Sequence, residues 1–194
     1  MKKLAVFALF VLSAGFLASD AADLKIGAPA PDFTLPAASD GKAVALKDLL
    51  ARNKAVAVVF VATKCPVSNA YNTRMAALGK EYAAKGIPLV GINSNKTEPA
   101  AEVKEHAEKH GFTFPVLKDE GNRIADAYGA TKTPEVFVLD PKGILLYHGR
   151  IDENQDDPKN VKSPDLRNAL EAVLGGKPVP AAETKAFGCT IKRV

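Results

Sequence analysis

The 194 residues are 47% hydrophobic and 25% charged, with a formal net charge of +4. This is the make-up of a globular chain of one ordinary domain, long enough to bury a sizeable core. The positive balance is mild and evenly spread, which sets aside nucleic acid and acidic lipid as partners.

Residues 1–21 read as a segment of their own. Lys2 and Lys3 precede an apolar run from Leu4 to Leu17, and small residues follow at Ala18, Ser19, Ala21 and Ala22. That is the layout of a secretory signal peptide with Ser19-Asp20-Ala21 at the cleavage point, so the mature chain is expected to start near Ala22 and to act outside the cytoplasm, in a periplasm or secreted. An uncleaved anchor is the alternative, although the apolar run is short for a bilayer. With the leader gone, no stable membrane insertion is expected.

Residues 22–176 then form one domain. Residues 26–36 are proline-punctuated and extended, Ser39-Asp40-Gly41-Lys42 makes a turn, and 43–46 form a short strand, which together predict an N-terminal β-hairpin. A single helical turn is expected at 48–52. Residues 55–62 are all apolar, as in a strand buried on both faces of a parallel sheet. Apolar positions Val67, Ala70, Tyr71, Met75, Leu78 and Tyr82 recur at helical spacing between Pro66 and Lys85-Gly86, predicting one helix. A second buried strand is expected at 87–92, a solvated helix at 99–110, a short strand at 114–117 and a helix at 123–128. Strands at 135–139 and 144–150 flank the turn Asp140-Pro141-Lys142-Gly143, and an acidic loop at 152–162 leads to a last helix at 164–174. This order predicts an α/β fold with a mixed central sheet flanked by helices. Residues 177–194 form a tail, which must dock on the body if its cysteine, Cys189, has a role.

Cys65 and Cys189 are the only two cysteines. Cys65 ends the buried strand and is followed by Pro66 and an amphipathic helix, so its thiol meets the positive end of a helix dipole with Lys64 beside it. Both features favour the thiolate, the form that attacks disulfides and peroxides. Outside the cytoplasm an even pair of thiols is compatible with a disulfide or with a cycling pair. Other constellations point to bland roles. His106 and His110 are four apart on a helix face rich in Glu and Lys, His148 is read as a strand surface residue, and the acids of 152–157 lack the calcium-loop pattern. Phosphate loops, dinucleotide fingerprints and Cys-x-x-Cys-His are absent from the sequence, so neither a cofactor nor a metal is expected.

Lys64-Cys65-Pro66-Val67-Ser68 after a hydrophobic strand, Thr133-Pro134-Glu135-Val136-Phe137-Val138-Leu139-Asp140 downstream and the opening Pro31-Asp32-Phe33 resemble the thioredoxin-like superfamily. Within it the nearest likeness is to exported redoxins of the alkyl hydroperoxide reductase and thiol-specific antioxidant (peroxiredoxin-like) family, over residues 24–175. The resemblance implies a thioredoxin-like fold and an antioxidant oxidoreductase with Cys65 as nucleophile. It also implies a cis peptide bond before Pro134, on a loop that faces the thiol and offers backbone to the substrate. Thr63, Ser68, Thr133, Pro134 and Arg150 would then surround that substrate, with Arg150 either holding a peroxide or pairing with Asp152 or Glu153.

Two departures from the family pattern stand out. Ser68 occupies the second cysteine's place of Cys-x-x-Cys, and Val58 and Ala62 stand where peroxiredoxins carry proline and threonine. The local disulfide cannot form. Cys189 is the internal thiol left to resolve an oxidised Cys65, either by pairing with it or, failing that, by remaining free or pairing with another molecule, which would leave the step to an external thiol reductant. Hydroperoxides and protein disulfides both remain substrates on this reading. A non-catalytic module that binds a partner protein or copper through Cys65 is the alternative.

Overall fold

The computed structural model describes residues 24–194, and the leader expected over 1–21 lies outside them. In chain order the elements are β1 Thr34–Pro36, β2 Ala43–Ala45, α1 Leu46–Leu50, β3 Val56–Phe60, α2 Pro66–Ala70, α3 Asn72–Ala84, β4 Leu89–Asn93 and α4 Ala100–Lys109. There follow β5 Val116–Lys118, α5 Arg123–Tyr128, β6 Lys132–Thr133, β7 Glu135–Leu139, β8 Leu145–Gly149, α6 Asp165–Leu174 and β9 Cys189–Thr190.

Five strands form the central sheet in the order β5-β4-β3-β7-β8. The β3–β4 and β4–β5 pairs are parallel, whereas β3–β7 and β7–β8 are antiparallel. The sheet is mixed, as the order of elements implies, and β1 and β2 form the expected hairpin. Because side chains alternate across a strand, β3 serves two cores. Ala57 and Val59 pack with Tyr71, Met75, Leu78 and Tyr82 of the α2–α3 segment and Leu166 and Leu170 of α6. Val56, Val58 and Phe60 face the other way, against the hairpin, α1 and α5 through Leu35, Leu46, Leu50 and Tyr128. Phe60, Tyr128 and Phe137 meet edge to face on that side, with centroids 5.3–6.0 Å apart.

Three local differences from the sequence reading have physical causes. The helix expected from Pro66 is two helices, because Tyr71 interrupts it at φ −93°, ψ −4°. The break sends the Tyr71 side chain inward, where its hydroxyl donates to Asp152. The third sheet strand begins at Val116 rather than 114, since Pro115 has no N–H to give the ladder. Last, the tail contains a strand, β9, which pairs antiparallel with β6. Two residues are too few to show a period.

Helix α6 is fastened to α3 by charge as well as by its apolar face. Arg167 donates to both carboxylate oxygens of Glu81 at 2.8 and 2.9 Å, and Lys85 bridges Glu81 and Glu171. Hydrogen bonds from Arg167 and then Lys85 hold the Glu81 carboxyl down at about 2. A carboxyl lowered in the folded state stabilises the fold above its ordinary value near 4.5, and that stabilisation is lost as pH falls toward 2. Glu81→Gln is therefore expected to lower stability most at pH 7 and least near pH 2, which flattens the acid limb of a thermal-stability profile between pH 4.5 and 2, as scanning calorimetry from pH 2 to 7 will show.

Candidate active site

The strand β3 delivers the chain at its carboxyl end into Val61-Ala62-Thr63-Lys64-Cys65, and Pro66 starts α2 at once. Cys65 is the residue preceding the helix, with extended backbone, and its Sγ accepts the Ser68 N–H at 3.3 Å. That N–H is one of the unpaired donors of a first helical turn, so the helix end supplies a positive partner to the sulfur. On the other side lies Thr133 O, 3.3 Å from Sγ, to which a Cys65 thiol would donate. The Thr133-Pro134 bond is cis. Cys65 is 3% exposed.

The second sulfur arrives from the far end of the chain. Thr133 faces Cys189 in the β6–β9 register, and Lys132 faces Thr190. This sets Cys189 against Cys65 with Cα atoms 5.8 Å apart, and the two are joined in a disulfide across 124 residues. Gly188 makes the approach possible. Its φ of +142° disfavours a side chain, and a Cβ there would run into Thr133 O.

The supports of the site come from residues whose role the motif did not signal. Glu98 is buried, and its carboxylate accepts from Thr63 N at 2.9 Å, Lys64 N at 3.0 Å and Asn93 Nδ2 at 2.6 Å. Asn93 also accepts from the buried Lys118 Nζ at 2.9 Å, whose ammonium is pushed below its usual range by burial. Glu135, next to the cis proline, accepts from Thr131 N and Lys132 N at 2.8 Å and faces His148 Nε2 at 2.8 Å, which fixes β6 from behind. His148 is thus part of the frame, and its ring stacks on Phe137 at 4.4 Å. Nothing in a lone acid at position 98 or 135 marks it as a support, because the donors it serves are backbone groups.

The residues named from the sequence divide into two sets. Cys65, Ser68, Thr133, Pro134 and Cys189 are gathered at one point. Ser68 meets the sulfur through its backbone, while its Oγ accepts from Ala62 N at 3.2 Å. Thr133 likewise contributes its carbonyl; its hydroxyl is, among the described residues, the one buried side-chain N or O atom without a hydrogen-bond partner. Thr63 turns away, donating through its hydroxyl to Glu102. Lys64 does the same, with Nζ 2.8 Å from Glu102, whose carboxyl it holds low, so the nearby cation is spent on that acid. The Arg150 Nε is taken by Asp165 at 2.6 Å, an acid other than Asp152 or Glu153; Asp152 is engaged instead by Arg74. His106 and His110 sit with ring centroids 4.4 Å apart, and among the described residues no group of three or more His, Cys, Asp or Glu is assembled for a metal.

The chain is similar to known proteins over most of its length. The AhpC/TSA family model matches residues 26–148. A thiol-disulfide oxidoreductase ResA of Bacillus thuringiensis is 33% identical over 137 residues, covering 71% of this chain and 76% of its own. Among solved structures, a hypothetical protein of Sinorhizobium meliloti 1021 is 34% identical with a TM-score of 0.82, over 89% of this chain and 97% of its own. A conserved protein of Geobacillus kaustophilus gives 32% and 0.82, over 88% and 93%.

If Glu98 holds the Cys65 loop as its contacts indicate, Glu98→Ala strands three donors and is expected to cost about 2–4 kcal/mol in urea unfolding. Faster amide exchange at Thr63 and Lys64 will distinguish this from a diffuse loss of stability.

Proposed function

The chain belongs to the AhpC/TSA family and is a thiol-dependent oxidoreductase of thioredoxin-like fold, and on that footing we propose that Cys65 and Cys189 are its working pair, cycling between dithiol and disulfide. The observation that carries this reading is the Thr133–Cys189 pairing, which sets the second sulfur on the first at the start of α2. Cys65 is the nucleophile, because the Ser68 N–H and the helix start favour its thiolate. Cys189 resolves.

Both oxidants open to the site give balanced steps. With a hydroperoxide, the Cys65 thiolate attacks the outer oxygen; the O–O bond breaks, the alkoxide takes a proton and leaves as alcohol, and the sulfur becomes a sulfenic acid. The Cys189 thiol then displaces that hydroxyl as water and the disulfide forms. With a disulfide substrate, Cys65 forms a mixed disulfide and releases one thiolate, and Cys189 attacks the Cys65 sulfur to release the other. Two equivalents of an external thiol, themselves oxidised to a disulfide, return the protein to its dithiol form. Thr133 O and the cis Pro134 backbone border the reacting sulfur, whereas Thr63 and Arg150 are engaged by Glu102 and Asp165 and stand outside these steps.

The leader-like residues 1–21 support export to a periplasm or the medium, where such a pair would meet external oxidants and thiols. Among the described residues no helix is long and apolar enough to cross a membrane.

One equivalent of hydrogen peroxide added to the reduced protein is expected to consume both thiols and to yield a Cys65–Cys189 peptide on mapping, with Cys65→Ser leaving the remaining thiol intact on the same timescale. Loss no faster than for an ordinary exposed thiol would move the substrate to disulfides. Loss of Cys189 in Cys65→Ser at the wild-type rate would refute Cys65 as nucleophile.

A further inference from the structure

The last thirteen residues are fastened to the body on both sides of Cys189 by contacts that owe nothing to the disulfide. Upstream, residues 182–184 lie along β8: His148 N donates to Ala182 O and Thr184 N to His148 O, both at 2.9 Å. The Thr184 hydroxyl meets Tyr147 OH at 2.8 Å and accepts from Arg150 N. Gly149 is bare where this strand crosses, and a Cβ there would strike Thr184. Between that clamp and the cysteine, the Phe187 ring meets Tyr71 edge to face.

Downstream, the hold is stronger still. Ile191 is 3% exposed in the core beside Tyr128 and Ala130, and its N–H donates to Thr131 O at 3.0 Å. Lys192 N donates to Asn95 Oδ1 at 2.6 Å, Lys96 N to Lys192 O at 2.9 Å, and Val194 N to Asn122 Oδ1 at 2.9 Å. Arg193 reaches Ala130 O and Asp126, both at 2.7 Å.

The place this segment occupies matters more than its grip. It pairs with β6, the strand edge whose Thr133 carbonyl borders the Cys65 sulfur. An extended polypeptide bringing a sulfur to Cys65 along that edge would need the same backbone groups. From this, and resting on Cys65 as the nucleophile, we infer that residues 182–194 stay seated when the disulfide is reduced and reserve Cys65 for low-molecular-weight oxidants, a hydroperoxide or a small disulfide, while excluding extended protein segments. Opening the bond lets the Cys189 side chain swing to another rotamer, which clears room for a small group. It does not free the strand edge.

Amide hydrogen exchange of the wild-type protein, oxidised and reduced, tests the first half. Thr184, Ile191, Lys192 and Val194 amides are expected to keep their protection on reduction, and its collapse would overturn the inference. The second half is read from Cys65 alone in full-length Cys189→Ser, by intact mass after timed alkylation. Hydrogen peroxide, 5,5′-dithiobis(2-nitrobenzoate) and an extended decapeptide carrying its cysteine as a 2-nitro-5-thiobenzoate disulfide serve as probes. The peptide is expected to react at least ~10-fold more slowly than the small disulfide, and adding Gly188→Val, which drives the tail off Thr133 O, is expected to close that gap to within ~3-fold. Comparing the two small probes then says which of them the site favours. A peptide rate equal to the small-disulfide rate with the tail seated would overturn the inference alone. Failure of Cys65 to react with either small probe would remove Cys65 as nucleophile and the inference with it.

Discussion

The antiparallel pairing of β6 with β9 is the constraint on which the site depends. Thioredoxin-like sites with two motif cysteines carry the second sulfur on the same helical turn as the first, whereas Ser68 stands at that place in this chain. The second sulfur must be held from outside, across a separation of 124 residues. Two ladder residues would not hold a free strand, since so short a pairing is marginal by itself. The register of Thr133 with Cys189 is therefore as secure as the segments on either side of it make it.

The downstream segment ends in a polar group at the carboxyl ends of β4 and β5. Asn93, Asn95, Glu98, Lys118 and Asn122 are all nearly fully buried there; Asn93 joins Glu98 to Lys118, which also donates to Asn95 O, and Asn122 donates to Ser94 O. Glu98 faces the Cys65 loop, while Asn95 and Asn122 accept the tail's N–H groups, so one network fixes both partners of the disulfide. Such a network is costly to leave half satisfied. It gives the site a rigid frame on a scaffold whose apolar cores lie elsewhere, above and below β3.

The part of the site that was legible in the sequence is the part built from local chain geometry. A buried strand running into Cys65-Pro66 and a helix announces a thiol at a helix start, and the Thr133-Pro134 loop is legible through its likeness to a known family. The central sheet could be read for the same reason, because β3, β4 and β7 are apolar on both faces. The supports could not be read. Glu98 and Glu135 act on backbone N–H groups, which carry no residue identity, and Ser68 contributes through its own N–H. Arg150 is expected at the site only through the family likeness, and its guanidinium is instead taken by Asp165 at the start of α6, a pairing between distant parts of the chain. The docking of the tail was visible only as a condition on Cys189, since Ile191 is a single apolar residue in a polar stretch.

A seated tail also bears on the energetics of the couple. The stability of an intramolecular disulfide rises with the effective concentration of one thiol at the other, and a thiol tethered by a loose loop of this length would have to recover the entropy of closing it. Here the closure is already accomplished by Ile191, by the Thr184 clamp and by the Asn95 and Asn122 bonds, each independent of sulfur. Each 1.4 kcal/mol of closure cost that seating removes from the dithiol deepens the reduction potential by about 30 mV, and the gain ends once the dithiol is fully seated. The same contacts that close the strand edge thus bias the pair toward the disulfide, while the Ser68 N–H, by stabilising the Cys65 thiolate, biases it toward the dithiol. The poise of the protein is the balance of the two, set at opposite ends of the chain and meeting at Thr133.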